Sequence, residues 1–164
     1  MTTLRFDAQQ VWGQILLDWW RGLADDTGGR AALRRAPDIT GVVLQPAFQR
    51  LHCRLLAAGW SDQPWHNDRL AAVAGLLAHV RTQAEPSLPK ALSAGDKPAV
   101  SELRFRRLLD APDVDTLFAG LRRALPLLQH SANVCELAND VVNWGDPVRK
   151  RWAYAYQWPA KAKA

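Results

Sequence analysis

The 164-residue sequence has few of the features that mark membrane or secreted proteins. Its longest apolar run, residues 70–78, is bracketed by Arg69 and Arg81 and is far shorter than the roughly 20 residues that a membrane span needs. The N-terminal segment has no continuous apolar core, so no export signal is expected. With only two cysteines, Cys53 and Cys135, we expect reduced thiols rather than a disulfide framework, and a cytoplasmic location.

Motifs for catalysis or for cofactor binding are also missing. The sequence contains no phosphate-binding glycine loop and no C-x-x-C pair, and its four histidines never lie three or four residues apart. The densest carboxylate group, Asp110, Asp113 and Asp115, surrounds Pro112 at a predicted turn, where aspartate is favoured as a helix cap. Helix capping therefore explains this group better than metal-dependent nuclease chemistry does. We expect no catalytic residue, no metal and no cofactor.

Helical periodicity runs through most of the chain, and no strand is predicted. The first helix has apolar residues at three- and four-residue steps after a candidate cap, Asp7. Asn67 and Asp146 are candidate caps of later helices, and Pro126 is expected to kink or shorten the helix that contains it. Residues 84–100 contain three prolines and one glycine and show no sustained helical period. The sequence thus predicts an all-α protein with two small helical bundles, at 1–83 and 101–164, joined by a Pro/Gly-containing connecting segment at 84–100.

Arginine and tryptophan are abundant. The formal net charge is +5, and only five of the 21 basic residues are lysines. Arginine binds phosphate through a bidentate fork and stacks on bases, which lysine cannot do. Of the eight tryptophans, Trp12 and Trp19 fit the apolar face of the first helix, whereas Trp60 and Trp65 lie in a predicted loop and are candidates for base stacking. This composition indicates an acidic partner, of which nucleic acid is the usual example.

The basic residues form four small clusters on predicted helices. Successive helical residues differ by roughly 100°, so one of two adjacent arginines can flank the core while the other projects outward. A single cluster is better explained as a solvated face with local ion pairs, such as Glu102 with Arg106. Four arginine-rich clusters favour a binding surface instead. The candidate nucleic-acid-binding residues are Arg34, Arg35, Arg104, Arg107, Arg122, Arg123, Arg149, Lys150 and Arg151.

Several segments, taken in order, resemble a known family. No single one is diagnostic, but their order and spacing resemble the CasB family, the small subunit of the type I-E CRISPR surveillance complex Cascade. The resemblance extends over residues 8–158. The segments that carry it are WW at 19–20, ALRR at 32–35, PAF at 46–48, SLP at 87–89, SELRFRRLL at 101–109, LRRAL at 121–125 and WGDPVRKRW at 144–152.

The resemblance implies a non-catalytic, all-helical protein that acts in antiviral defence. Two copies would lie head to tail beside the backbone and large subunits of Cascade, the CRISPR guide RNA and the target DNA, with no membrane partner. Basic residues of this family help hold the guide–target hybrid and the displaced DNA strand, which together form the R-loop. The matching positions here are Arg34, Arg35, Arg104, Arg122, Arg123, Arg149, Lys150 and Arg151.

Two other interpretations stay open. In the first, the chain is a helical protein–protein adaptor in which the arginine clusters are merely solvated. In the second, it is a DNA- or RNA-binding regulator that reads sequence through a helix–turn–helix pair, although no recognition-helix signature stands out.

Overall fold

A computed structural model describes residues 4–160. Within this range ten α-helices are joined by turns and short loops, and a short 3₁₀-helix, Leu125–Leu128, follows the eighth of them. The α-helices, in chain order, are α1 (Val11–Gly22), α2 (Thr27–Arg35), α3 (Ile39–Val43), α4 (Pro46–Ala57), α5 (Pro64–Leu77), α6 (Leu88–Ser93), α7 (Glu102–Leu109), α8 (Val114–Ala124), α9 (Val134–Val142) and α10 (Asp146–Ala155).

Helix α5 lies at the centre of the fold. Every residue from Leu70 to Val80 is buried, and the helix packs against α2, α3, α4, α8 and α9. A helix that is apolar on all sides is stable in water only when neighbours cover its whole circumference. A Cβ atom at Gly75 would lie 2.8 Å from side-chain carbons of Val42 and Phe118. Helices α3 and α8 therefore approach the α5 backbone closely.

Indole groups fix the N-terminal helix to this core. The Trp19 Nε1 group donates to the Ala47 carbonyl at 3.0 Å, and Trp20 Nε1 donates to the Val80 carbonyl at 2.8 Å. A buried indole N–H needs an acceptor, and backbone carbonyls of α4 and of the segment after α5 supply one for each tryptophan. Tryptophan in α1 thus serves packing and hydrogen bonding together.

The all-α prediction is confirmed, with a small exception to the expected absence of strands. Thr82–Gln83 pairs in parallel with Ser131–Ala132. The Arg81 amide beside this pair also donates to the His130 carbonyl at 2.7 Å. The chain leaving buried α5 must still satisfy its backbone groups, and this pairing does so. Two-residue strands are too short to produce a recognisable alternation in the sequence.

The connecting segment at 84–100 contains a helix that the sequence did not predict. Helix α6 forms because Pro89 lies in its first turn, where a missing amide donor costs nothing, and because Leu88 and Leu92 are buried. The buried apolar residues before and after the segment belong to one cluster. The division into bundles at 1–83 and 101–164 stays a prediction, and the ends of these ranges, residues 1–3 and 161–164, lie outside the described residues.

Two of the predicted helix caps are wrong. Asp7 lies four residues before α1 begins, and its carboxylate instead accepts hydrogen bonds from Arg5 at 3.0 Å and from Asn139 at 3.2 Å. Asn67 lies inside α5, which begins at Pro64 because proline is well suited to the first helical position.

Two other predicted boundaries are confirmed. Helix α8 ends at Ala124, and Pro126 lies in the 3₁₀-helix that follows. Helix α10 begins next to Gly145, with proline in its first turn, but Asp146 is its first helical residue and its side chain does not cap it, so the predicted cap at Asp146 is also wrong. Within residues 4–160, no helix is long and apolar enough to cross a membrane.

Candidate nucleic-acid interface

Two predicted binding residues, Arg34 on α2 and Arg122 on α8, lie together although 88 residues separate them. Arg122 Nη2 donates to the Arg34 carbonyl at 3.0 Å, so this guanidinium also satisfies the C-terminal end of α2. Both side chains are half-buried, and within residues 4–160 their buried Nε atoms have no hydrogen-bond partner. Each of the two guanidinium groups therefore still has an N–H donor that is free to bind an acceptor.

Arg30, which the sequence analysis did not select, extends this group. Its guanidinium donates to the carbonyls of Ala78 at 3.1 Å and Val80 at 2.5 Å, just beyond the C-terminal end of α5. Burial lowers the pKa of Arg30, and the charges of Arg81 and Arg34 lower it further. Arg30 lies one helical turn before Arg34, and this spacing was the signal in the sequence that could have identified it. The α2–α8 basic cluster is defined as Arg30, Arg34, Arg81 and Arg122.

His79 shows that the electrostatic potential of the basic cluster is positive. The residue is only 7% exposed, and within residues 4–160 neither of its ring nitrogens has a hydrogen-bond partner. Burial lowers the pKa of His79 to about 4, and the charges of Arg34, Arg122, His130 and Arg30 contribute to this shift. Every charge that acts on the ring is positive, and His79 is neutral at neutral pH. Within residues 4–160, none of the four arginines of the basic cluster forms an ion pair with a carboxylate.

The predicted arginines of α10 form ion pairs with carboxylates of the same chain. Arg149 Nη1 lies 3.2 Å from the Asp146 carboxylate, and Arg151 Nη2 lies 2.7 Å from the buried Asp140 carboxylate. The hydrogen bond that Arg151 donates to the Asp140 carboxylate raises the pKa of Arg151. Both arginines thus have intramolecular partners, whereas Lys150 between them is exposed and forms no ion pair within residues 4–160.

Three other predicted arginines line one pocket between α7 and α8, with a volume of about 370 Å³. Arg104 and Arg107 lie about one turn apart on α7, and Arg123 comes from the last turn of α8. All three are exposed and form no ion pair within residues 4–160. This arginine pocket contains no carboxylate among its lining residues. The rest of the lining is mostly apolar and consists of Val100, Leu108, Thr116, Gly120, Ala124 and Leu127.

The end of α8 contributes to both basic features. Arg122 belongs to the basic cluster and Arg123 to the arginine pocket, because adjacent residues of a helix point roughly 100° apart. Arg35, the last residue of α2, is exposed and lies outside both groups. The structure therefore brings five of the nine predicted residues into two unneutralised groups and leaves Arg35 and Lys150 as separate surface charges.

The two tryptophan candidates for base stacking differ. Trp60 is buried, and its ring stacks on Phe6 at a centroid distance of 5.6 Å, so its candidacy is wrong. Trp65 is 55% exposed, and the Arg69 guanidinium lies 5.6 Å from its ring centroid. Because Arg69 also donates to two backbone carbonyls at 3.0 Å, the Trp65 ring rests on a fixed cation.

One of the three carboxylates near Pro112 acts as the helix cap that the sequence predicts. Asp113 caps α8 by accepting a hydrogen bond from the Thr116 amide at 2.8 Å, and this bond is the main cause of the lowered pKa of Asp113. Asp110 lies 3.9 Å from Arg149. Within residues 4–160, no group of three or more His, Cys, Asp or Glu side chains is arranged to hold a metal ion.

Comparisons with known proteins agree with one another. The family model of CRISPR-associated protein Cse2 matches residues 29–156. CRISPR-associated protein Cse2 of Thermus thermophilus is 28% identical over 151 residues, which are 88% of this chain and 89% of that protein. The crystal structure of CasB from Thermus thermophilus is similar with a TM-score of 0.67 and 27% identity, over 90% of this chain and 98% of that one.

A further solved structure has the same fold. One chain in the crystal structure of Escherichia coli Cascade bound to a PAM-containing double-stranded DNA target is 24% identical, with a TM-score of 0.69. The likeness covers 86% of this chain and 93% of that chain. The basic cluster and the arginine pocket both lie within the region that the family model matches.

Proposed function

Because this chain belongs to the family of CRISPR-associated protein Cse2, we propose that it is a non-catalytic subunit of a Cascade-type RNA-guided complex. In that complex its arginine surface binds the backbones of nucleic acid strands and stabilises the guide–target hybrid and the displaced strand. The fold shared with CasB of Thermus thermophilus and with a chain of DNA-bound Escherichia coli Cascade is consistent with this role.

The α2–α8 basic cluster is the observation that carries the proposal. Arg34 and Arg122 are fixed together by a hydrogen bond, and the charges that perturb their neighbour His79 are all positive. A folded protein normally offsets such a cluster with carboxylates, because unpaired charges of one sign repel each other. A nucleic acid backbone supplies the missing negative charge as a row of phosphates.

Contacts between arginines and phosphates are sufficient to stabilise the guide–target hybrid. Exchange of a DNA duplex for an RNA–DNA hybrid is nearly balanced in free energy, so modest contacts to the strands can shift the equilibrium. Contacts to phosphates carry no sequence information, and one subunit can therefore serve any guide. If each copy neutralises about four phosphates of a single strand, the slope of log K against log salt is about −3 per copy.

The arrangement within the complex is also a proposal. Two copies of the chain would lie head to tail, next to the backbone and large subunits, so that their basic clusters follow one path along the nucleic acid. A continuous basic groove of this kind tracks a single strand without reading its sequence. We propose the cytoplasm as the place where this assembly acts.

A reconstituted complex tests the proposed function. The double variant Arg34→Gln with Arg122→Gln removes two charges, and glutamine at 122 retains a donor for the Arg34 carbonyl. We expect the affinity for a DNA target to fall about tenfold or more and the salt slope to become shallower by roughly 1.5. Arg21→Gln is the matched control, because Arg21 is exposed and lines a different pocket beside Asp18 and Asp25.

The protein–protein adaptor is the second candidate, and specific residues favour it. Tyr154 is 91% exposed and Leu44 is 74% exposed, and apolar groups of this size often belong to interfaces. The adaptor predicts that the double arginine variant assembles normally and retains the wild-type target affinity and salt slope. That result would reject the nucleic-acid role and leave assembly as the function.

A further inference from the structure

We propose that the arginine pocket between α7 and α8 accepts one unstacked nucleotide of a single strand. The base lies against the apolar lining, and the adjoining phosphates bind Arg104, Arg107 and Arg123. This inference rests on the proposed function and adds to it a contact with a base face. A surface that binds only phosphates makes no such contact.

The size and lining of the pocket support a nucleotide. Its volume of about 370 Å³ is in the range of small-ligand pockets, roughly 300–1,000 Å³. Leu127, which is 48% exposed, forms part of the lining together with Leu108 and Ala124. The guanidinium groups supply the ligands for the adjoining phosphates.

The polar groups of the lining favour a base over an acidic peptide. A peptide that entered the pocket would bring backbone N–H groups that need acceptors once they leave water. Among the lining side chains, all within the described residues, the Thr116 hydroxyl is the one acceptor. The Val100 carbonyl already accepts a hydrogen bond from the Tyr156 hydroxyl at 2.6 Å. The face of a nucleobase needs no acceptor, so it can lie against this lining while the polar edge of the base stays in water.

The pocket has few groups that could bind the edges of a base, and this predicts that it does not distinguish one base from another. Discrimination between bases requires donors and acceptors aimed at their edges, and once the three arginines bind phosphates, Thr116 is the one polar side chain of this lining left for an edge. The pocket therefore accepts any base, as a subunit that serves many guides requires. Binding should depend on the presence of a base but little on its identity.

An oligonucleotide without bases separates this contact from phosphate binding. The full chain is titrated with fluorescently labelled decathymidylate and with an abasic decamer that has the same number of phosphates. We expect the abasic decamer to bind about tenfold more weakly, because burial of a base face in an apolar lining is lost. Arg123→Ala should weaken both oligomers equally and make the salt slope shallower by about 0.7.

Two leucines at separate sites provide a test variant and its matched control. Leu127→Ser removes part of the apolar lining without changing the charge, so the difference between the two oligomers should fall to less than about threefold. The salt slope should not change, since the arginines remain. Leu44→Ser replaces a more exposed leucine outside the pocket and should retain the tenfold difference. Circular dichroism confirms that each variant is folded.

Each result decides the proposal. Equal affinity of wild-type protein for the two decamers, with normal salt dependence, overturns base insertion and leaves the pocket to a protein partner, while the proposed function stands. An equal effect of Leu127→Ser and Leu44→Ser also overturns it. If neither decamer binds at about 50 mM salt, the pocket has no affinity for single strands, and the reconstituted-complex measurement then decides the proposed function separately.

Discussion

Replacement of His79 by leucine should make the protein more resistant to acid unfolding. In the folded chain the pKa of His79 is about 4, because the ring is buried and lies among positive charges, whereas its ordinary value is 6.5. Below about pH 6.5 the unfolded chain therefore binds a proton at this residue that the folded chain does not bind, and the free energy of unfolding falls as the pH is lowered. At about 1.4 kcal/mol per pKa unit, this loss is ~2 kcal/mol at about pH 5 and ~3 kcal/mol at about pH 4.

Urea unfolding monitored by tryptophan fluorescence measures this effect. At about pH 7.5 the variant should be as stable as the wild type or slightly more so, since it replaces a buried ring without hydrogen-bond partners by an apolar side chain. The difference between the two proteins should then widen by ~2 kcal/mol at about pH 5. Other groups that titrate in this range contribute equally to both proteins and cancel.

A difference that stays constant between the two pH values would refute the reasoning, because His79 would then titrate alike in the folded and unfolded chains. NMR titration of the ring provides an independent check. The double variant Arg34→Gln with Arg122→Gln removes two of the four charges that lower the pKa of His79, so the pKa should rise toward its ordinary value. An unchanged pKa would show that the basic cluster does not act on this ring.

Two further predictions concern stability. Arg151→Ala removes the half-exposed ion-pair partner of the buried Asp140 carboxylate, which keeps the hydrogen bond from the Trp152 indole. The free energy of unfolding should therefore fall by about 2 kcal/mol in urea titrations, with an unchanged salt slope for nucleic acid binding. A change in slope alone would assign Arg151 to the binding surface. Gly13→Ala would place a Cβ atom 1.8 Å from the Asp7 carbonyl oxygen and should lower the melting temperature by several degrees or more, whereas Gly22→Ala, with nothing within 4 Å, should not. An equal change in melting temperature for the two variants would contradict the close approach of the Asp7 carbonyl to Gly13.

The helical pattern predicted the fold class because the apolar periodicity is local information. The same local rules placed the candidate arginines, Arg104 and Arg107 among them, on helices. Contacts across the fold could not be predicted in this way. Arg122 reaches Arg34 only because α2 and α8 both pack on α5, and no local pattern specifies that arrangement.

The same limit explains the predictions that proved wrong. Trp60 lies in a loop, where exposure is the usual expectation, yet Phe6 from the distant N-terminal segment covers its ring. The sequence does not predict the helix at Leu88–Ser93, because the three prolines of residues 84–100 indicate a break in helical structure, although Pro89 lies in a first turn, where proline is tolerated. The contact between Phe6 and Trp60 and the position of Pro89 in its helix both depend on the folded structure, which local sequence patterns do not specify.

The end of α5 has a consequence for how the basic surface responds to its surroundings. Arg30 is held by the carbonyls of Ala78 and Val80, and the C-terminal end of a helix carries roughly half a negative charge. Backbone carbonyls do not titrate. Mild acidification therefore leaves the position of Arg30 unchanged, and phosphodiesters also keep their charge. Ionic strength, rather than acidity, is the variable that controls how strongly this surface attracts a polyanion.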